Sequence, residues 1–563
     1  MRSRTINRFL LILLAVFCFS AFTAPGKAED RVLPAKVYRD KMKGGWIGQI
    51  IGVVWGAPTE FKWNDKIIPE EKVPKWKTGF INNAFGQDDL YVEMTFLRTL
   101  EQYGLNCDIR QAGIDFANSE YALWCANRAG RNNLRSGIAP PDSGHPKFNR
   151  CPNDIDYQIE ADYAGLISPG LPNRVIALGD KFGRLMNYSD GIYGGIFMGG
   201  MYAEAFFTDD LQKVIAAGLA SIPEKSQYAE MVRDMVKWHH ENPGDWQKTW
   251  NLACEKYRKN PEYQKCSNGG IDVKINGVCV LLGLLYGDKD IEKTTIISMR
   301  GGFDSDCNPS SAVGVLCTMI GFDKIPERFT NGLNLEKKFS YTSYNIPGLL
   351  NVCEKLARSI IIAEHGKIEK DANGNEIFMI PRQKAAPLPL ELSWAPGPVA
   401  NSRFSSSEMD QIRFLFYGIN AIQKGIDKFF PGWTISQCGS DMDPGIREHE
   451  GNANTLITHP WDKETPCLLT RSYRVPDKGK AVLHLTVGAH GKKYNWELIV
   501  RVFGSEQFRA VIGAGGAFDK PWNDINIDLS KYAGQTVQIE LANRANGWHC
   551  EAGYWKTIEF INK

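Results

Sequence analysis

The chain has 563 residues, 43% of them hydrophobic and 23% charged, with 66 basic against 64 acidic side chains for a formal net charge of +2. This is the balance of a globular protein long enough for more than one domain, and it excludes a disordered or low-complexity chain. Near-neutrality gives no electrostatic case for nucleic acid or an anionic membrane surface as partner.

Arg2, Arg4 and Arg8 precede a short apolar run from Phe9 to Phe22, followed by small residues around Ala28. Residues 1–28 thus read as a secretory signal peptide, the run being too short to span a bilayer. Cleavage after Ala28 would remove four basic residues and no acid, taking the formal charge to −2. The expected location is secreted or periplasmic, with no membrane span. Some cysteines pair in such compartments; by proximity the candidates are Cys254 with Cys266 and Cys438 with Cys467. No CxxC spacing of a structural zinc site occurs.

From about residue 33 to 380 the periodicity is helical. In Lys36 to Val54 and just beyond, Gly44, Gly48, Gly52 and Gly56 recur every fourth residue. Glycine costs about 1 kcal/mol per helical position relative to alanine, so four in register predict a smooth face that another helix or a ligand approaches closely. Pro58 disfavours helix at Ala57, which puts Glu60 on a loop at the helix end. Asp89 to Tyr103 reads as an amphipathic helix with Asp88 or Asp89 at its start. Residues 127 to 162 are dense in polar and turn residues, too long for a connector, and read as a functional loop. Gly191 to Phe206, Gly277 to Tyr286 and Ser310 to Ile320 are further helical runs.

Residues 381 to 398 are proline-rich and read as an interdomain linker. A helix is expected between Glu408 and Phe430, with Ser407 and Asp410 as its capping box. After Pro431 the period becomes two: 482–490, 496–504, 508–513, 525–529 and 536–541 read as strands of an antiparallel β-sandwich. Trp496, Trp522, Trp548 and Trp555 serve either its core or a carbohydrate platform.

Two acidic clusters carry the chemistry, Gln87-Asp88-Asp89 and Asp304-Ser305-Asp306, each ahead of a helical run. Adjacent carboxylates repel unless a positive charge lies between them or they stay in water. If the fold brings the clusters together, their guest is a hard divalent cation with oxygen ligands; apart, they are solvated loop or N-cap carboxylates. Glu60 is a candidate catalytic carboxylate. Glu93, one turn beyond Asp89, with Asn127, Arg128, Asp154, Asp156 and Asp190, are candidate substrate contacts.

Three blocks, GGWIGQIIGVVWGAPTEF (44–61), GQDDLYVE (86–93) and GGFDSDCNPSSAVG (301–314), resemble the ADP-ribosylglycohydrolase family in order and spacing over about residues 35 to 360. The resemblance implies a multidomain chain: an all-α orthogonal helical bundle over 33–380, with one or two Mg²⁺ or Mn²⁺ ions in a central cleft, then a linker and helix (381–430). A β-sandwich similar to galactose-binding jelly rolls follows (431–563). It implies Gln87, Asp88, Asp89, Asp304 and Asp306 as metal ligands and Glu60, Asp89 and Asp304 as catalytic groups. Gln87 and Cys307 stand where the family has threonine, and Val53 where many members have an acid. The polar segment 127–162 has no counterpart in ADP-ribose-cleaving members. The expectation is an exported, metal-dependent glycosyl hydrolase acting on an N- or O-glycosidic bond of a ribose- or arabinose-type furanoside in a glycan. Two alternatives stay open: an ADP-ribosyl glycohydrolase, and a non-catalytic glycan-binding protein with a degenerate site.

Overall fold

The computed structural model describes residues 30–119, 121–412, 419–439 and 441–562; the expected signal peptide lies outside them. Helix α1 (Ala35–Gly56) is charged in its first two turns and buried on all sides from Gly44 to Gly56, the mark of a central core helix. Its glycines face the helix Cys307–Ile320. A Cβ added at Gly44, Gly48, Gly52 or Gly56 would stand 2.4, 2.4, 2.2 or 2.0 Å from the carbonyl oxygens of Cys317, Val313, Pro309 and Ser305. The four glycines are thus the seam along which two antiparallel helices touch backbone to backbone. α1 ends at Gly56, before Ala57 as Pro58 predicts, and a single 3₁₀ turn, Ala57–Thr59, with Pro58 inside it, leads on to Glu60.

Around this pair pack α2 (Asp88–Tyr103), α3 (Ile109–Ala117), α4 (Cys125–Arg135) and the helices Asp190–Ala205, Val273–Tyr286 and Ile346–Ala363. The helical domain also carries a small antiparallel sheet that sequence periodicity does not predict. In it β1 (Arg31–Pro34) and β2 (Lys367–Lys370) flank β3 (Glu376–Ile380), which ties the chain leading into α1 to the hairpin after Ile346–Ala363. No helix among the described residues is long and apolar enough to cross a membrane.

Residues 127–162, expected as a loop, are partly helical. They fold into α4 and two one-turn helices, Asp156–Ile159 and Asp162–Leu166, and Asn127, Asp154, Asp156, Glu160 and Asp162 are buried. The proline-rich segment lies against the helical domain. Pro389 accepts a hydrogen bond from the Tyr193 hydroxyl at 3.0 Å, and Asp142 receives the amides of Ala400 and Ser402 at 2.9 Å each. Beyond the proline-rich segment, Glu408 forms a bidentate ion pair with Arg110 on α3. The capping box is formed by Ser405 and Glu408, not Ser407 and Asp410, because the helix there is the short Ser406–Met409; Ile419–Phe429 is a separate helix.

The C-terminal part is two five-stranded antiparallel sheets. The strands are β4 (Thr434–Ser436), β5 (Gly445–His449), β6 (Asn452–Thr458), β7 (Cys467–Arg474), β8 (Ala481–Ala489), β9 (Asn495–Val502), β10 (Ser505–Gly513), β11 (Asn523–Asp528), β12 (Thr536–Arg544) and β13 (Gly553–Asn562). Their orders are β10-β9-β12-β7-β4 and β11-β8-β13-β6-β5. Trp433, Trp496 and Trp555 fill the core between the sheets. All described cysteines are free thiols. Neither expected disulfide forms, although the buried thiols of Cys438 and Cys467 are hydrogen-bonded neighbours.

Candidate active site

The two acidic clusters meet. Asp88 and Asp89 open α2, where the helix dipole favours anions. Asp304 and Asp306 lie on the turn before Cys307–Ile320, and Gly302 and Phe303 ahead of them both take left-handed φ angles, 79° and 60°. Phe303 is a strained position for a bulky residue. Its carbonyl is held by the Phe61 amide at 3.0 Å, and Thr59 Oγ1 lies 2.8 Å from Ser305 Oγ. A side chain at position 302 would strike the Trp63 carbonyl, 2.3 Å from the added Cβ. The turn is thereby locked to the loop after α1, which brings Glu60 beside Asp306. From below, Asn276 Oδ1 accepts from the Asp304 amide at 3.3 Å and from Asn308 Nδ2 at 2.9 Å.

Asp304, Asp306 and Cys307 each offer an atom within 4.8 Å of the others. The Cys307 thiol donates to Asp89 Oδ1 at 2.8 Å and so joins the two clusters. Burial, then the charges of Asp88 and Asp306, raises the Asp89 carboxyl well above the usual range. Burial and Asp306 do the same to Asp304, and Asp88 and Asp306 are raised too, burial being the main cause. Asp89 Oδ2, Asp304 Oδ1, Asp306 Oδ1 and Asn308 Oδ1 are buried and have no hydrogen-bond partner. Unpartnered oxygen acceptors, crowded and desolvated, are the donor set of a hard cation. The residues present therefore fit a hard divalent cation. Burial pushes the Cys307 thiol well above its usual range, which keeps it a protonated donor to Asp89.

Glu60 is exposed at the rim. Partial desolvation, then Asp306 and Asp88, pushes its carboxyl up to about 7. Below it opens a cleft of about 240 Å³ with Asp88, Asp156 and Asp304 on its polar side and Phe61, Leu123, Trp124 and Ile155 among its apolar walls. Trp124, 59% exposed at the mouth, is not among the residues that sequence reasoning singles out. Its signal is an aromatic immediately before the polar segment, and only the fold turns it toward the carboxylates.

The other candidates divide by burial. Asn127 lines the cleft; its amide donates to Asp156 Oδ1 at 2.9 Å and its side chain to Glu160. Burial and the Asn127 amide act in opposite directions on Asp156, and its carboxyl ends at about 7. Glu93 lies behind the cleft and outside its lining, fully buried, receiving the Tyr163 amide at 2.8 Å. Asp190 is likewise buried and receives the Tyr228 amide at 3.1 Å. Asp154 is buried beside Asn268, which donates to it at 3.3 Å; burial, then Asp156, pushes its carboxyl up to about 10. Gln87 caps α2 through its backbone, its carbonyl receiving the Leu90 and Tyr91 amides at 3.3 and 3.2 Å. Arg128 turns away from the carboxylates toward the sandwich and pairs with Asp441 at 3.4 Å.

Residues 34–364, more than half of the chain, match the family model described as ADP-ribosylglycohydrolase. Among solved structures the chain is similar to an ADP-ribosylglycohydrolase-related protein complex at 13% identity and a TM-score of 0.39, covering 57% of this chain and 99% of that one. It is also similar to a Stig cyclase from Fischerella sp. TAU at 12% identity and a TM-score of 0.17, covering 23% of this chain and 74% of that one. No curated protein matches. The helical domain with its paired acidic clusters belongs to the ADP-ribosylglycohydrolase family, a family of glycohydrolases.

Proposed function

We propose that the protein is an exported, metal-dependent glycosyl hydrolase that cleaves a ribose- or arabinose-type furanoside in a glycan. The observation that carries the reading is the convergence of four aspartates, three with an unpartnered buried oxygen, at a cleft with apolar walls. Asp88, Asp89, Asp304 and Asp306 would hold Mg²⁺ or Mn²⁺, which when bound supplies charge to orient sugar hydroxyls and water. Asp156 and Asn127 position the sugar from the side wall. Glu60 stands at the rim, able to hold or release a proton at the glycosidic oxygen or the attacking water. The surrounding anions stabilise the oxocarbenium character that develops on the furanose ring. Trp124 and Phe61 shield the reacting bond. The signal-peptide pattern and the sandwich tail favour a glycan over ADP-ribosylated protein.

The test is a screen of the mature protein on aryl arabinofuranosides, aryl ribofuranosides and ADP-ribosylated peptides, with Mg²⁺, Mn²⁺ or EDTA. Cation-dependent release from a furanoside supports the reading. Release of ADP-ribose with no action on furanosides replaces the substrate, and inactivity on every substrate sinks the enzyme.

A further inference from the structure

A second cleft of about 330 Å³ lies between the helical domain and the sandwich and shares the wall residue Cys125 with the first. Its helical side includes Arg128, Asn132 and Arg150; its sandwich side includes Asp441, Trp461 and Trp548. α4 runs along it from the catalytic cleft. Positions 125, 128 and 132 share one face of that helix, and at 1.5 Å per residue they span about 10 Å.

Trp461 is 64% exposed, the most open large hydrophobic side chain of the described residues, whereas Trp433, Trp496 and Trp555 are buried in the sandwich core. It sits on the turn between β6 and β7 and contributes nothing to that core. Trp548 is steadied edge-on against His459, ring centroids 5.5 Å apart. Trp461, open to solvent, and the half-buried Trp548 put two indoles at the edge of a polar cleft, where their flat apolar faces offer a stacking surface. Arg128 and Asp441, 3.4 Å apart, put a donor fork beside an acceptor. A hydroxyl uses both, because it donates and accepts. A phosphate only accepts, and Asp441 would repel it.

Resting on the furanoside-hydrolase reading, we infer that this interdomain cleft is a saccharide subsite, in which Trp461 and Trp548 stack on, and Arg128 and Asp441 hydrogen-bond, the sugar next to the one held over the carboxylates. The substrate is accordingly an oligosaccharide or polysaccharide, and the sandwich forms part of the substrate-binding surface.

The experiment uses the full mature chain carrying Asp304→Asn, which stops turnover. It is applied to an array of arabinofuranosyl and ribofuranosyl oligosaccharides of two to four units, and the best ligand is titrated by tryptophan fluorescence. Adding Trp461→Ala or Arg128→Leu weakens binding tenfold or more with an unchanged melting temperature. In the active protein, Trp461→Ala lowers kcat/KM for a tetrasaccharide relative to an aryl furanoside by at least tenfold. Binding that ignores both substitutions, absence of any oligosaccharide ligand, or displacement of the bound sugar from this cleft by ADP-ribose overturns the inference. Trp461-dependent binding by a protein that hydrolyses nothing keeps the subsite and removes the hydrolase reading. Hydrolysis with no dependence on Trp461 does the reverse.

Discussion

Gly52→Ala tests how the site is held. The added Cβ would stand 2.2 Å from the Pro309 carbonyl oxygen, 2.4 Å from its carbon and 2.5 Å from the Ser310 nitrogen. All three are backbone atoms of one helix, so no rotamer relieves the clash. Restoring a 3.0 Å separation from the oxygen requires a retreat of about 0.8 Å by α1 or its partner. Overpacking of this kind costs about 1–3 kcal/mol, and the better helix propensity of alanine returns up to about 1 kcal/mol. A net loss of about 1–2 kcal/mol lowers the melting temperature of a helical domain this size by roughly 1–3 °C. Pro309 lies in the first turn after Asp306, so the same shift moves Asp304 and Asp306 off Asp89. A misplacement near 1 Å costs on the order of 100-fold in rate. Thermal melting by circular dichroism and kcat/KM on an aryl furanoside read both effects. Gly244→Ala, with nothing within 4 Å of its added Cβ, is the control. If Gly52→Ala melts and turns over like the parent, the backbone seam does not position the site.

Three further outcomes are expected. Cys307→Thr keeps a donor to Asp89 and stays near wild-type stability, whereas Cys307→Val leaves a buried oxygen without its donor and loses about 1–3 kcal/mol in urea unfolding; equal stability of the two refutes the thiol's role. Mn²⁺ at a hundredfold excess over its dissociation constant stabilises the protein by about 2.7 kcal/mol. The raised carboxyls of Asp89, Asp304 and Asp306 stabilise the cation-free fold below the unfolded carboxylate range, an advantage lost as pH rises through their folded values. Protons and cation compete, so the Mn²⁺-induced rise in melting temperature is larger at pH 8 than at pH 6. Arg110 holds the Glu408 carboxyl down at about 2. That contribution is present above the unfolded value of about 4.3 and lost as pH falls through about 2, so the stability gap between wild type and Glu408→Gln closes over that window; a gap independent of pH contradicts the pairing.

Two features of the site are visible in the amino-acid pattern alone. The glycine spacing of α1 implies a close neighbour and the acidic clusters imply a meeting, because both are local patterns with a strong physical constraint. What stays hidden depends on tertiary context. The 127–162 segment reads by composition as a functional loop, yet it is partly helical and its Asp154, Asp156 and Glu160 are buried, their carboxyls raised by the low dielectric around them. Glu93 and Asp190 have the right chemistry but sit behind the wall, which sequence spacing does not distinguish from facing the cleft. Strands β4, β5, β6, β7 and β13 escape the period-two pattern, several being short or mixed in polarity. Trp461, on a turn with no periodicity, becomes informative only through what lies across from it.

Metal dependence is tested most directly by stripping the protein with EDTA and restoring Mn²⁺ stepwise, following bound Mn²⁺ by electron paramagnetic resonance and furanoside hydrolysis in the same sample. Hydrolysis is expected to appear as Mn²⁺ binds, and Asp89→Asn and Asp306→Asn, one from each acidic cluster, to lose binding and hydrolysis together. Full hydrolysis by the stripped protein, or undiminished Mn²⁺ binding in both variants, contradicts a metal centre built from the two clusters.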